Sequence, residues 1–155
     1  MTLKILELVS ILCSALVAGM FFGPWVALTR SMHTFRPEVF LAVVDRLTRN
    51  MAPFMTVLIP TALLSLLAVL VVSYRTQPGI FHLTLTGFGL SLVALFVTVF
   101  IEVPTVKQIG TWTVSTLPGD WQQLRDRWGV FHLLRIVPAS LNLALLVVAA
   151  IFCGR

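Results

Sequence analysis

The chain has 155 residues, 58% hydrophobic and only 11% charged, with a mean hydropathy of +0.98. Globular domains carry about a quarter charged residues and must leave roughly half their residues facing water, so this composition excludes a soluble domain and specifies an integral membrane protein. The net charge of +5 is spread between apolar runs and forms no basic stripe, which excludes nucleic acid and makes lipid headgroups the acidic partner.

In chain order, Lys4 followed by an apolar stretch containing Ala15 and Ala18 has the outline of a signal peptide. Glu7 interrupts that outline, and Leu8–Leu28 is long enough to cross a bilayer unaided. Leu12 before Cys13 also lacks the small side chain that a lipoprotein cleavage site needs. The segment reads as a retained first span, about residues 3–28, with Ser14, Ala18, Phe22 and Trp25 as its inward stripe. A polar stretch, Thr29–Asn50, follows. In it Pro37 and Glu38 open a helical turn, and Phe40, Leu41, Val44 and Leu47 recur at helical spacing, predicting a short amphipathic helix at the membrane surface.

A second span covers residues 53–73 and a tight YRTQPG turn covers 74–79. The third span, 81–103, places Thr84, Ser91 and Thr98 seven apart, with Glu102 one turn beyond. The polar stretch 104–128 contains DWQQLRDRW, where Asp120 is positioned as a cap and Trp121, Leu124 and Trp128 share a face. It predicts a second amphipathic interfacial helix, with Trp112, Trp121 and Trp128 as anchors at the membrane boundary. The fourth span covers residues 129–153. The fold class is therefore all-α: an antiparallel four-helix transmembrane bundle, one domain over 1–155, with short interfacial helices in the two longer loops. Cys13 and Cys153 lie in apolar runs with no metal or CxxC spacing and read as free thiols.

Antiparallel threading assigns the polar residues to two membrane faces. Side A holds both chain ends and the tight turn, with Lys4, Arg75 and Arg155; side B holds the two longer loops, with Arg30, Arg36, Arg46, Arg49, Lys107, Arg125, Arg127 and Arg135. The positive-inside rule puts side B, with the polar mouth and long loops, in the cytoplasm of a bacterial inner membrane. Threading also brings Trp25, Arg30, Asn50, Glu102, His132 and Arg135 to the side B mouth of the bundle. On the fourth span Trp128, His132, Arg135, Ala139 and Asn142 follow alternating steps of four and three, the seam of a packed helix. The expectation is a partly polar cavity opening to side B, with Glu102 paired to Arg135.

Each of these residues has a structural reading beside the functional one. Arg135 lies within two turns of the span's start and can snorkel, His132 can rest on a carbonyl, and Asn142 can join two helices. One histidine with one carboxylate makes a thin metal site, and a bis-histidine haem would require His33 to meet His132, so the residues specify no metal and no cofactor. HExxH, GxSxG and P-loop motifs are absent from the sequence.

The stretches EVPTVKQIGTW and DWQQLRDRWGVFHLLR, carrying Val103, Pro104, Trp112, Asp120, Trp121, Leu124, Arg125, Arg127, Trp128, His132 and Arg135, resemble the anthrone oxygenase-like family of small four-helix membrane proteins. GMFFGPW at the end of the first span and the Asn50–Pro53 entrance to the second add to the resemblance. What it implies is a cofactor-independent oxygenase that converts an anthrone-type aromatic to a quinone, with His132 as base and Arg135 holding the oxyanion. Trp25, Asn50, Glu102, Trp128 and Asn142 then become candidates for contacting substrate. The chain departs from the family pattern at Val106 and Ile136, where relatives carry Asn and Thr. Two classes of function lead at this point: an oxygenase or related oxidoreductase, and a non-enzymatic membrane module that binds a lipophilic ligand or a partner membrane protein; a proton or solute pathway ranks third, since a lone His–Arg–Glu group gives no continuous relay across the bilayer. Oligomeric state is open under both.

Overall fold

A computed structural model describes residues 2–153; Met1, Gly154 and Arg155, the last among the side A cations, lie outside the described residues. Five α-helices are present and no strand occurs among the described residues: α1 (Thr2–Ala27), α2 (Pro37–Ser73), α3 (Pro78–Val97), α4 (Val103–Ile109) and α5 (Trp121–Val148). A 3-10 segment, Thr29–Thr34, follows α1, and five-residue π-helical segments follow α3 (Thr98–Glu102) and α5 (Ala149–Cys153). Four continuous helical runs are long and apolar enough to cross a membrane: Thr2–Thr34, Pro37–Ser73, Pro78–Ile109 and Trp121–Cys153. Each run packs against the next along the chain, and α5 closes the ring against α1, giving an antiparallel four-helix bundle.

The two predicted interfacial helices do not exist as separate elements. Phe40, Leu41, Val44 and Leu47 belong to the first turns of α2, a single helix of 37 residues. At 1.5 Å per residue α2 is about 55 Å long, well beyond a hydrocarbon core of about 30 Å. DWQQLRDRW likewise flows into the fourth span as the start of α5. Asp120 does occupy the position before α5, but its side chain caps nothing. Both segments therefore extend spans beyond the hydrocarbon on side B. There they bury Met32, Phe40, Val44, Ile109, Trp121 and Trp128 against one another. The lateral face that a lone amphipathic helix would offer to lipid is used for protein packing instead.

That packing corrects the reading of the tryptophans as interfacial anchors. Trp121 and Trp128 are buried, and the Trp121 ring lies 5.4 Å from that of Phe40. On α1 the inward stripe is Ser10, Ser14, Ala18 and Phe21, whereas Phe22 is half exposed. Steps of four, four and three keep pace with the 3.6-residue turn; the step from Ala18 to Phe22 overshoots the stripe and turns that ring to the outside.

Midway through the bundle the helices approach closely. Ala18, Phe21, Ala94, Ile136 and Ala139 form an apolar layer. Beside it Asn142 donates from Nδ2 to Ser14 Oγ at 3.1 Å, joining α5 to α1. A Cβ built on Gly87 would meet Asn142 Oδ1 at 2.4 Å, so only glycine lets α3 come this near to α5. Asn142 thus ties three helices together. Cys13 and Cys153 are free, as expected.

Candidate functional site

The site grows from a local irregularity in the third span. Pro104 has no N–H to donate and its ring crowds the carbonyl four residues back, which leaves the helix one hydrogen bond short there, although α1, α2 and α5 absorb Pro24, Pro53, Pro60 and Pro138 while staying α-helical. Just before Pro104 the chain forms the π-helical turn Thr98–Glu102, in which the Val103 N–H donates to the Thr98 carbonyl. The turn sets Thr98 and Glu102 toward the bundle centre, and Glu102 is only 2% exposed. Val-Pro was visible in the sequence; the irregular turn that precedes it was not.

Three side chains from α5 converge on that carboxylate. Trp128 donates from its indole Nε1 to Glu102 Oε2 at 2.8 Å. Arg135 Nη2 lies 3.4 Å from the same oxygen, an ion pair screened from solvent. Arg135 Nη2 also donates to His132 Nδ1 at 2.7 Å, and its guanidinium carbon sits 4.5 Å above the ring centre of Phe21. The buried His132 donates from Nε2 to the Phe21 carbonyl at 3.0 Å. Because that carbonyl only accepts and the guanidinium only donates, the imidazole is the tautomer with its hydrogen on Nε2. Both of its nitrogens are therefore engaged. Glu102 Oε1, by contrast, has no hydrogen-bond partner, and at 3.9 Å from His132 Nδ1 it is beyond bonding range.

These four residues line one wall of a cavity of about 400 Å³. That volume falls in the range of small-molecule sites, and the other walls are mostly apolar, built from Phe21, Pro24, Leu47, Met51, Met55, Val103 and Val106. Thr29, Thr48 and Thr98 also face it, but each hydroxyl donates to a backbone carbonyl of its own helix or the adjoining turn. Glu102, His132, Arg135 and Lys107 are left to provide polar chemistry. No group of three or more His, Cys, Asp and Glu side chains converges to hold a metal among the described residues, and the exposed His33 is not brought to the buried His132.

Of the residues singled out in the sequence, Glu102, Trp128, His132 and Arg135 meet in this cavity. Trp25 does not line it; half-buried near the end of α1, it stacks on Phe22 and lies under Arg30 at 5.6 Å. Asn50 is exposed on α2 while its neighbours Leu47, Thr48 and Met51 face the cavity. Its helix runs straight through Pro53, and Asn50 falls on the outer face. Asn142 lies deeper, in the joint between α1, α3 and α5 described above. Phe21 and Lys107 were not singled out as site residues. Phe21 stands beside Phe22, which the sequence reading put on the inward stripe, and only its carbonyl and ring face reveal its place. Of the two departures from the family pattern, Val106 lines the cavity, whereas Ile136 belongs to the apolar layer below it.

The helical run, the carboxylate on an irregular turn and the Trp–His–Arg seam define a membrane-embedded pocket protein. A family model described as anthrone oxygenase matches residues 49–152, about two thirds of the chain. The chain belongs to the anthrone oxygenase family. The matched region contains Glu102, Lys107, Trp128, His132 and Arg135, while α1, which supplies Phe21, precedes it. Comparison with curated proteins and with solved structures finds no match.

Proposed function

We propose that the protein is a membrane oxygenase that admits an anthrone-type aromatic to the side B cavity and oxidises its benzylic methylene to a quinone carbonyl. The observation that carries this reading is a largely apolar cavity of about 400 Å³ lined by one carboxylate, Glu102, whose Oε1 is buried and has no hydrogen-bond partner within the protein. Family membership supports the substrate class.

In this mechanism Glu102 removes a proton from the methylene, and the electron pair moves into the ring system to give an enolate. Arg135 stabilises the negative charge on the enolate oxygen, as fixed cations do for oxyanions. The enolate passes an electron to dioxygen, and the two radicals join in a C–O bond. Protonation of the outer oxygen by Glu102 gives a hydroperoxide. Loss of the remaining C–H proton then expels hydroxide across the O–O bond, leaving C=O, and the hydroxide takes up that proton to become water. The balance is CH2 plus O2 to C=O plus H2O, with no outside reductant.

The base role thereby moves from His132, both of whose nitrogens are engaged, to Glu102. His132 positions Arg135 by accepting at Nδ1 while the Phe21 carbonyl fixes its ring. Topology completes the proposal. Setting Arg135 aside, side B keeps seven Lys and Arg residues against Lys4 and Arg75 on described side A, which favours a cytoplasmic mouth in a bacterial inner membrane.

Purified protein in detergent, given an anthrone, should consume one dioxygen per quinone formed. Uptake no faster than in protein-free micelles would overturn the enzyme. Tight binding of the aromatic without uptake would instead establish the ligand-binding module.

A further inference from the structure

Lys107 is the cavity-lining cation for which the catalytic cluster has no use. It sits on α4 just beyond the π-helical turn, five residues past Glu102, and lines the same cavity as Trp128 and Arg135. No acidic side chain lies within salt-bridge distance of it among the described residues. Glu102 is already matched by Arg135, so the cavity wall carries one positive charge in excess. The Lys107 side chain is exposed where Glu102, His132 and Trp128 are buried, which puts the excess charge at the mouth and the catalytic cluster at the floor. Met51, Met55, Val103 and Val106 supply apolar wall to the same cavity.

Such a site has polarity along its length: an apolar slot with a buried carboxylate at one end and an unmatched ammonium at the other. We propose that Lys107 is a specificity-determining residue, and that the ligand is an amphipathic anion, its fused aromatic body inside the slot and a carboxylate or phenolate at the mouth. This rests on the reading of the cavity as the substrate site and adds the charge of the substrate to it. A hydrogen bond between ions at a partly screened site corresponds to roughly a tenfold gain in affinity.

Two probes differing only in charge test the assignment, anthraquinone-2-carboxylate and anthraquinone-2-carboxamide. Their dissociation constants are read by quenching of tryptophan fluorescence in a zwitterionic detergent, for the native chain and for Lys107→Met. Taking the ratio between the two proteins for each probe cancels partitioning into the micelle. Lys107→Met should weaken the carboxylate about tenfold and leave the carboxamide within twofold, and added salt should weaken only the carboxylate on the native chain. Equal effects on both probes, or no effect on either, would overturn the role of Lys107 while leaving the cavity as a binding site. Failure of both probes to bind the native chain would remove the cavity reading itself, and this proposal with it. Phosphatidylglycerol at one lipid per protein should not displace the carboxylate probe; displacement would show that the mouth takes a lipid headgroup instead.

Discussion

The two ends of the bundle are built from the same kinds of helix and hold their polar groups in opposite ways. At the side A end Ser10 and Thr84 are buried between Val69, Ile80, Leu146 and Ala149, and the half-buried Glu7 has one carboxylate oxygen buried without a hydrogen-bond partner. The space left there is about 10 Å³, roughly one water molecule. At the side B end the helices continue past the hydrocarbon and pack on one another, leaving about 400 Å³ beneath them, with an ion pair in its wall. The difference teaches that a buried ion pair needs support. A membrane bundle tolerates Glu102 and Arg135 in its interior because Trp128, His132 and the Phe21 carbonyl stand behind them, and this scaffold exists only where the helices outgrow the bilayer.

The severest way to break this contrast is to remove the cation. Arg135→Ala leaves Glu102 buried without its counter-charge, a change that costs about 3–5 kcal/mol in proteins generally. It should show as a large fall in the thermal unfolding midpoint in detergent, whereas Lys4→Ala on side A should leave the midpoint unmoved. Equal midpoints for the two variants would mean that the side B ion pair holds nothing together.

Trp128→Phe keeps an aromatic ring, smaller than indole, and deletes the donor to Glu102. A hydrogen bond to a charged group is worth about 1.5–3 kcal/mol, so both stability and oxygen uptake should fall, the latter by about ten- to a hundredfold. Retention of full uptake would separate Trp128 from the site. Gly87→Ala probes the region between the two ends: its Cβ would collide with Asn142 Oδ1. Overpacking of this sort costs about 1–3 kcal/mol. The unfolding midpoint should drop while uptake per folded molecule stays within twofold, and loss of uptake in folded protein would place Asn142 in the chemistry after all. The smallest effect belongs to Asn50→Ala, which should change uptake by less than twofold, because that side chain is exposed away from the cavity. A loss of tenfold or more would restore Asn50 to the site.

Most of the fold was legible because its signals are strong and local. Four long apolar runs, a Pro-Gly turn and the spacing of polar residues suffice for four antiparallel spans. The Trp128–His132–Arg135–Ala139–Asn142 seam was readable for the same reason, and every member of it faces the bundle interior. The longer loops were misread because amphipathic periodicity cannot distinguish a helix resting on lipid from a span continuing upward into a protein roof. Phe40 and Trp121 look alike in both. Glu102 and Arg135 could be paired from threading, but the engagement of both His132 nitrogens depended on the Phe21 carbonyl. A backbone acceptor more than a hundred residues away leaves no trace in a side-chain pattern. Asn50 and Trp25 do not line the cavity for a related reason: threading fixes the depth of a residue, and only the rotation of its helix decides which way it faces.

The central claim is that Glu102, set inward by the π-helical turn, is the base that starts oxidation in the side B cavity. Oxygen uptake and quinone binding measured on the same preparation of Glu102→Gln test it most directly, since the amide keeps the shape of the side chain and removes its basicity. The account predicts a loss of turnover of about 10²–10⁴-fold, the usual worth of a general base, with quinone affinity within threefold of the native chain. Turnover within tenfold of native, in protein that still binds the quinone, would contradict it.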